Sequence, residues 1–528
     1  MRRGPGVRAW GSRPPGGPGV RRFQPRDDRG KPPSMEAGPQ QDAPANRDGG
    51  SLLAEILEQA GLAPADEAYQ GVKKGVEAAL GRVAGRTDGG GGGAMIDNAL
   101  VDLWIAEIDH RLSRQIDEIL HHPVFQRLEA AWRGLKFAID HIDFRENIRL
   151  ELLSCSKEDL LADFEDSSEM VRSGLYKIVY SAEFGTFGGR PFGAIISNYE
   201  FGPGPQDIVL LQKCAAVAAM AHAPFLAVAG PQFFGLKDYR KVPHLGDIKA
   251  LFEGPQYVKY NAFRESEDAR YVGLILPRFL LRLPYGAGTV PVKAFSYEED
   301  VVGDHAAYCW GAPTYAFATR LAESFARHRW CLHIIGPQSG GTVEGLTLHE
   351  YEAMGAIQTK IPTEIMLTER REFELSEEGF IGLTFRKDTD NACFFSATSV
   401  QKPKYFGQSE EGRAAELNHR LGTQLPYMFL VSRLAHYIKV MQREQIGTWK
   451  ERHDLERELN AWLSQYVADM DVVSPAVRSK RPLRRARTVV TEVEGSAGWY
   501  RVQLEVRPHL KYMGAYFTLN LMGKLDRE

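Results

Sequence analysis

Glycine-rich loops are the first places in this 528-residue sequence where chemistry could occur, because such loops can cradle phosphate groups with backbone N–H donors. Gly336–Thr342 has the glycines, but the lysine and the spacing of a phosphate-binding P-loop are absent from it. Gly185–Gly189 likewise misses the dinucleotide-binding fingerprint. The preceding segment Leu332–Ile335 is predicted to be a strand. A tight strand-to-loop connection is therefore the favoured interpretation of Gly336–Thr342, and a phosphate site is the alternative.

Histidine and cysteine side chains bind a metal only where several of them converge. The segment His349–Ala353 starts like a zinc-protease motif, but its last position is alanine instead of the second histidine. His121 and His122 are neighbours, and adjacent helical positions point in different directions. Cys331 and His333 have no third ligand near them in the sequence, so a buried strand with one thiol is the better interpretation.

Nucleophiles and paired carboxylates give no catalytic pattern either. Ser339 does not lie in a G-x-S-x-G elbow, and nothing separates the acidic pairs of the chain from ordinary solvated surface charge. The five cysteines form no C-x-x-C pair, which favours free thiols in a reducing compartment. We therefore predict no catalytic residue, no cofactor-binding residue and no metal ligand.

Positive charge is concentrated near the two ends of a chain whose formal net charge is -3. Residues 1–34 carry nine Arg and Lys against two Asp, and Arg478–Arg487 holds six cations in ten residues. No aromatic residues interleave the second cluster for base stacking, so an acidic protein surface is favoured over nucleic acid as its partner. The longest apolar stretch, Ala215–Gly230, has 16 residues against the ~20 that a bilayer requires, so we predict no membrane insertion.

Composition divides the N-terminal part into two segments. Residues 1–50 contain 19 Gly and Pro and are predicted to be a disordered basic tail. Residues 51–94 are predicted to hold a short amphipathic helix followed by a flexible linker that includes Gly89–Gly93. Ser51 is the predicted N-cap of this helix. Leu52, Leu53, Ile56 and Leu57 lie on one apolar side, and Glu55 lies away from it.

Residues 95–405 alternate between helical and extended patterns, which indicates an α/β region. A sustained helical period predicts one long helix from Leu100 to Leu120, ended by Pro123. The other predicted elements are strands at Ile148–Leu153, Tyr176–Tyr180, Ile195–Tyr199 and Phe225–Ala229, a helix that starts at Ser156, and a helix over Gln206–Ala221.

Residues 410–528 form the last predicted region. The pattern is helical from Ala414 to about Val467 and then changes to strands. Apolar and polar residues alternate in two terminal runs, whose apolar positions are Tyr500, Val502, Leu504 and Val506, and then Phe517, Leu519 and Leu521. Such strands present edges that can pair with another chain.

Long runs of this sequence resemble one known family. The matching runs are Ile119–Pro123, Trp132–Leu135, Ser173–Tyr176, Gly185–Gly189, Phe263–Leu274, Pro277–Gly286, Ile335–Gly341, Lys360–Glu364, Gln442–Gly447 and Arg507–His509. Together they resemble the TssC (VipB, ImpC, EvpB) family, the large subunits of the type VI secretion contractile sheath. The resemblance covers residues 51–528. Residues 1–50 have no counterpart, and Ala312 stands where the family pattern has Asn.

The resemblance implies a multi-domain α/β fold of the contractile tail-sheath type, with mixed sheets and C-terminal β-strands that pair with neighbouring subunits. It implies a cytoplasmic structural subunit and no enzyme. A smaller TssB-like partner would complete a heterodimer, six heterodimers would form a ring, and stacked rings would surround a tube of Hcp. Baseplate components would be further partners. The competing interpretation is a soluble α/β enzyme of unknown reaction.

Two segments acquire roles from the resemblance. The helix at Ser51–Leu57 would be the handle for a ClpV-type AAA+ unfoldase that disassembles contracted sheath. The terminal strands, with Tyr500–Val506 and Phe517–Leu521, would exchange between neighbouring subunits by strand addition.

Overall fold

A computed structural model describes residues 20–22, 74, 98–301, 303–353, 355–445, 451–470, 474–492, 500–509 and 519–524. The predicted helix at Ser51–Leu57, the Gly89–Gly93 linker and Phe517 lie outside the described residues. The chain divides into two compact units. The first contains the described residues of Pro123–Leu283 and Gly303–Glu528 together with Val20–Arg22, and the second contains those of Gln24–His122 and Pro284–Val302.

Helices account for much of the described chain. The α-helices are α1 Asn98–Leu120, α2 Pro123–His141, α3 Lys157–Asp166, α4 Gly174–Tyr176, α5 Pro205–Ala221, α6 Ile248–Phe252, α7 Val258–Arg264, α8 Pro313–His328, α9 Glu369–Glu377, α10 Glu410–Gly422, α11 Leu425–Glu444, α12 Arg452–Ser464 and α13 Pro475–Lys480. A π-helix over Lys177–Phe184 continues α4. Short 3₁₀ turns lie at Phe144–Glu146, Met170–Arg172, Pro231–Phe234, Tyr239–His244, Pro255–Tyr257, Asp268–Tyr271 and His305–Ala307.

The strands form several sheets. They are β1 Val20–Arg22, β2 Glu151–Leu153, β3 Ile195–Phe201, β4 Phe225–Ala229, β5 Val272–Leu276, β6 Phe279–Leu280, β7 Trp310–Gly311, β8 Thr342–Val343, β9 His349–Ala353, β10 Ala356–Lys360, β11 Phe380–Phe385, β12 Ala392–Phe394, β13 Leu483–Glu492, β14 Tyr500–Pro508 and β15 Leu519–Lys524. The largest sheet has the order β3-β4-β5-β11-β12-β8, and β13-β14-β15 form a separate sheet.

The six-stranded sheet is parallel from β3 to β11 and antiparallel at β12 and β8. Its central strands are buried on both faces. On β4, Phe225 and Ala227 belong to the core that α5 covers, whereas Leu226 belongs to the core on the opposite face, where Phe317 of α8 packs. A continuous apolar strand is typical of such a two-sided environment. The helices on both faces of a mainly parallel sheet confirm the predicted α/β class.

The C-terminal helices carry the last sheet. α11 lies in the interior, and its Leu430 and Leu434 share a core with Leu459 and Leu463 of α12. The antiparallel strands β13 and β14 lay one face on this core, and β15 pairs with the far edge of β14. The change from helices to strands near the end of the chain is therefore confirmed.

Two other local predictions are confirmed by hydrogen bonds. The helix predicted to start at Ser156 is α3, and Ser156 forms a reciprocal capping box with Asp159. α1 covers the predicted long helix and ends before Pro123. Local side-chain chemistry is enough to define both ends, because caps and proline act within one helical turn.

The strand predicted at Tyr176–Tyr180 is wrong, because this segment is helical. Ser173 caps the helix by accepting a hydrogen bond from the Tyr176 N–H, and the Asp163 carboxylate accepts two more from the Gly174 N–H at 2.9 and 2.8 Å. Two of the aromatic and β-branched residues that suggested a strand, Tyr176 and Val179, are buried in the core as part of this helix instead. Tertiary burial overrides β-propensity here.

Two further segments differ from the sequence expectation. Leu332–Ile335 is not a strand; its His333 N–H donates to the Ser324 hydroxyl, and β8 occupies the available edge of β12. Within residues 1–50, Val20–Arg22 pairs antiparallel with β2, and the disorder predicted for the rest of that tail stays a prediction.

Candidate assembly interface

The predicted inter-subunit strand β14 is the central strand of its sheet. Val502, Leu504 and Val506 point into the core, where Leu504 is only 2% exposed, and Tyr500 is half-buried beside them. β13 pairs with one edge of β14 and β15 with the other, and Leu519 and Leu521 lie opposite Val506 and Leu504 in register. The two terminal runs therefore meet within one chain, and exchange between subunits stays a prediction.

Side chains from α12 cover the outer edge of β13. Asn460 donates from Nδ2 to the Thr488 carbonyl at 2.8 Å and accepts from the Thr488 N–H at Oδ1, also at 2.8 Å. Glu456 accepts from the Val490 N–H at 3.5 Å. At the start of the strand, Leu483 accepts from the Ala468 N–H at 2.8 Å. A covered edge cannot serve as a template for another strand.

The opposite edge of the sheet belongs to β15. Within the described residues, β15 pairs with β14 alone, so its other edge has no strand beside it. The backbone N–H and C=O groups of Thr488 point to Asn460 and away from β14. Leu504 lies opposite Thr488 in the register, so the backbone groups of Leu504 point the other way, toward β15. Leu521 therefore faces β14, and the backbone N–H groups of Asn520 and Met522 point outward from the sheet.

The second unit presents the apolar side of α1 to solvent. Leu103 is 67% exposed and Ile108 is 56% exposed, and Ile105, Leu112 and Ile119 are exposed as well. The opposite side of the helix is mixed: Ser113 is buried, Trp104 and Ile116 are half-buried, and Tyr297 donates from its hydroxyl to the half-buried Asp117 at 2.7 Å. A helix normally buries its apolar stripe, so the exposed part of this one is a candidate contact surface.

α2, in the first unit, has a comparable apolar face. Val124, Phe125, Leu128 and Trp132 are exposed, the last at 64% of its area. The opposite side of the helix is fixed to the body, because Ala138 is buried in the core. Helical periodicity predicts the apolar stripe of α1, whereas α2 was not predicted, and periodicity carries no signal about which apolar residues the folded chain leaves uncovered.

Glu129 of α2 belongs to a buried ion pair that anchors the helix. Arg282 donates from Nε to Glu129 Oε1 at 2.7 Å, and Arg133 donates to the same oxygen at 2.7 Å. Burial raises the pKa of Glu129, but the two guanidiniums more than offset this, so its pKa lies below the usual range. The acid is therefore a structural anion.

A second charged cluster joins distant parts of the first unit. Arg278 makes a bidentate pair with Glu364 at 2.7 and 2.8 Å, and His305 lies 3.3 Å from the same carboxylate. Lys360 Nζ lies 2.8 Å from the other ring nitrogen of His305. Burial raises the pKa of Glu364, but the hydrogen bonds from Arg278 and His305 bring it below the usual value. The cluster ties three chain segments together.

Two buried histidines lie between α5 and α11. His436 Nε2 lies 2.9 Å from the Ala221 carbonyl, and its Nδ1 finds no hydrogen-bond partner among the described residues. His222 Nδ1 lies 3.0 Å from the Tyr271 hydroxyl. Burial lowers the pKa of His436 to about 3 and that of His222 to about 4. Both are neutral core histidines at physiological pH.

Backbone N–H groups of the loop Gly336–Thr342 donate hydrogen bonds to carbonyls of the protein. The Gly336 N–H donates to the Phe394 carbonyl at 2.7 Å, and the Gly341 N–H donates to the Gly336 carbonyl at 2.9 Å. Gly336 and Gly340 have φ values of 80° and 92°, which glycine adopts without strain. The geometry is that of a tight loop, as favoured from the sequence, although no strand precedes it.

The histidine and cysteine positions considered as ligands have other neighbours. His121 Nε2 lies 3.2 Å from Glu299, and the His333 ring lies 4.6 Å from that of His328. In the described part of the chain, no three His, Cys, Asp or Glu side chains gather as a metal site would require. None of the helices in the described ranges has the length and apolar character to cross a membrane.

Comparisons with known proteins give consistent matches. The profile described as EvpB/VC_A0108, tail sheath N-terminal domain matches residues 102–401, and the EvpB/VC_A0108, tail sheath gpW/gp25-like domain matches residues 414–525. The type VI secretion system sheath protein TssC1 of Pseudomonas aeruginosa is 38% identical over 431 residues, which cover 80% of this chain and 86% of that protein.

A solved structure is a more distant match. The cryo-EM structure of the anti-feeding prophage helical sheath in its contracted state aligns with a TM-score of 0.25 at 9% identity. The alignment covers 60% of this chain and 64% of that chain, so this protein spans less than two thirds of its length. Likeness at this level supports no conclusion about the fold.

The family and sequence matches define the class: this is a structural subunit of a contractile tail sheath and not an enzyme. A subunit of this class acts by assembling with other subunits. The chain belongs to the EvpB/VC_A0108 (VipB) tail sheath family of type VI secretion, and the family resemblance stated from the sequence is confirmed.

Proposed function

We propose that this chain is the large subunit of a type VI secretion sheath that works in the cytoplasm. It pairs with a smaller TssB-like subunit, and six heterodimers form each ring of a helical cylinder. The cylinder surrounds a tube of Hcp, joins a baseplate, and contracts to expel the tube. The observation that carries this proposal is the 38% identity to a TssC1 sheath protein over 80% of the chain.

The C-terminal sheet supports linkage between subunits at the edge of β15. Asn460 covers the outer edge of β13, whereas the described residues leave the other edge of β15 open. A strand from a neighbouring subunit would add there through backbone hydrogen bonds, as in β-augmentation. The apolar residues Val502, Leu504 and Val506 would hold the sheet on its own core while the added strand transmits force.

The exposed apolar faces of α1 and α2 support pairing with a partner that supplies helices. Leu103 and Ile108 on α1 would be covered by one apolar segment of the small subunit, and Leu128 and Trp132 on α2 would be covered by another. Covering a large apolar side chain stabilises by ~1.5–3 kcal/mol before ordering costs. A chain that leaves both faces uncovered should therefore depend on its partner for solubility.

The predicted helix with Ser51, Leu52, Leu53, Glu55, Ile56 and Leu57 would be the handle for a ClpV-type AAA+ unfoldase. The proposal rests on the apolar stripe in the sequence and on the family resemblance, since these residues lie outside the described ones. The apolar stripe would enter a groove of the unfoldase, and the Gly89–Gly93 linker would let it reach out from the body.

Co-expression with the small subunit tests the proposal directly. Long hollow cylinders in negative-stain images are expected from the pair, and aggregates are expected from this chain alone. A monodisperse, stable monomer without a partner, or small particles from the co-expressed pair, would contradict the proposal.

A proline on β15 tests the linkage. Asn520→Pro removes an N–H that points outward, while the bonds from Leu521 to β14 remain. A folded heterodimer without cylinders is the expected result, and the matched Asn520→Thr control, which keeps the N–H, should assemble normally. Normal cylinders from the proline variant would show that strand addition does not use this edge.

A further inference from the structure

Arg433 on α11 is a half-buried cation that pairs with no carboxylate in the described part of the chain. Its guanidinium carbon lies 4.6 Å from the ring centre of Tyr437 and 5.5 Å from that of Phe325, and its Nε is buried without a hydrogen-bond acceptor among the described residues. Arg329 also lies over Phe325, at 6.0 Å, but it pairs with Glu146 at 2.7 Å. A half-buried guanidinium has lost part of its hydration, so an anion that reaches the terminal nitrogens of Arg433 stabilises it through charge-assisted hydrogen bonds.

Aromatic side chains continue from this arginine toward α12. Trp462 of α12 lies 5.9 Å from Tyr437 and 5.2 Å from Tyr466, measured between ring centres. Like Phe325, these three side chains are half-buried, so part of each is left for a partner to cover. Arg, Trp and Tyr are the residue types that carry most of the binding energy at protein interfaces. The four aromatic side chains and Arg433 form the Arg433 cluster.

We propose that the Arg433 cluster receives an Asp or Glu side chain from a subunit outside its own heterodimer, an inference that rests on the proposed function. Because Nε is buried, the two terminal nitrogens of Arg433 are left to donate, and they match the two oxygens of one carboxylate. The aromatic side chains pack on the apolar part of the incoming segment and exclude water from the ion pair. The cluster lies on α8, α11 and α12, whereas the faces assigned to the small subunit lie on α1 and α2.

The charge balance favours one carboxylate over a polyanion. Arg433 is the cation of the cluster, and Arg329 beside it is already neutralised by Glu146. A nucleic-acid backbone is held by a row of cations, each of which neutralises one phosphate. A single Asp or Glu neutralises Arg433 and leaves no excess charge in a partly desolvated contact. The cluster therefore fits an acidic residue flanked by apolar ones on a protein surface.

Assembly of the co-expressed heterodimer tests this contact. Arg433→Met keeps an unbranched apolar side chain beside Tyr437 and Phe325 and removes the charge. The unassembled heterodimer should unfold at the same urea midpoint as the parent, because no described carboxylate loses its partner. Cylinders should need about tenfold more heterodimer to form, since each contact between heterodimers loses a charge-assisted pair. Arg370→Met, at an exposed arginine on α9, should assemble within about twofold of the parent.

Two further measurements separate the loss of charge from a change of shape and from misfolding. Arg433→Lys keeps the positive charge but loses the planar fork, so it should assemble better than Arg433→Met and about threefold less well than the parent. Modification by p-hydroxyphenylglyoxal, measured by mass spectrometry on the parent chain, requires no substitution. Arg433 should react about tenfold more slowly in cylinders than in the unassembled heterodimer, whereas the reactivity of Arg370 should change by less than about twofold.

The outcomes distinguish a contact between heterodimers from one within them. Weaker assembly with unchanged folding, together with protection of Arg433 in cylinders, supports the proposed contact. Normal assembly of Arg433→Met, an Arg433→Lys variant that assembles no better than Arg433→Met, or equal reactivity of Arg433 in cylinders and unassembled heterodimer overturns it. A lower urea midpoint for the unassembled Arg433→Met heterodimer would place the acid within the heterodimer, which overturns it as well. A parent heterodimer that forms no cylinders refutes the proposed function, whereas normal cylinders from both the parent and Arg433→Met refute this inference alone.

Discussion

Replacing Asn460 by alanine should loosen the outer edge of β13. The side chain makes two hydrogen bonds to the backbone of Thr488, both at 2.8 Å, and Thr488 is 0% exposed. Water therefore cannot readily replace the lost partner. The same amide also donates to the Glu456 carbonyl within α12.

The magnitude follows from these contacts. Each lost hydrogen bond costs about 1 kcal/mol net, and a buried backbone group left without a partner adds about 1 kcal/mol or more. Alanine has a higher helix propensity than asparagine, which returns about 0.7 kcal/mol in α12. The net loss of local stability at Asn460 is about 2 kcal/mol, which corresponds to a roughly 30-fold larger equilibrium constant for opening of the edge.

Hydrogen exchange measured by mass spectrometry reads this opening directly. Amides in the peptide that covers β13 should exchange about 30-fold faster in Asn460→Ala than in the parent chain. Gln115→Ala, an exposed substitution on α1 in the other unit, should leave β13 unchanged. Exchange within about threefold of the parent would refute the conclusion that Asn460 covers this edge.

Glu364→Gln should cost about 3 kcal/mol in urea unfolding because it removes the buried carboxylate that Arg278 and His305 hold, whereas Asp140→Asn at an exposed pair should cost under about 0.5 kcal/mol; equal effects would contradict this. Acid should weaken the fold through His436: its folded pKa is about 3 and its unfolded pKa is ~6.5, so the unfolded state binds the proton first and stability falls as pH drops below ~6.5. His436→Gln should flatten the pH dependence of the urea midpoint, and an unchanged slope would count against it. Leu53→Asp with Leu57→Asp should leave sheath assembly and contraction intact, and contracted sheaths should accumulate in fluorescence microscopy because the unfoldase cannot grip them. Disassembly of contracted sheaths at the normal rate would rule out the Ser51–Leu57 helix as the unfoldase handle.

Local sequence chemistry was sufficient for several elements. The continuous apolar run of Phe225–Ala229 predicts a strand buried on both faces, and the side chain of Ser156 predicts the start of α3. The family was also recognisable from the long matching runs of residues. These features depend on contacts within a few residues or on long stretches of identical pattern, and the linear sequence contains both.

Only the tertiary structure decided which surfaces and edges remain available. The period of α1 predicts a helix with an apolar stripe, yet the fold leaves Leu103 and Ile108 of that stripe exposed while Trp104 and Ile116 are half-buried. The alternation of β14 predicts a strand, but its central position and the covering of β13 by Asn460 follow from packing against α12. The pairing of Arg278 with Glu364 joins residues 86 positions apart. Periodicity determines which residues share a face, whereas long-range contacts determine what that face meets.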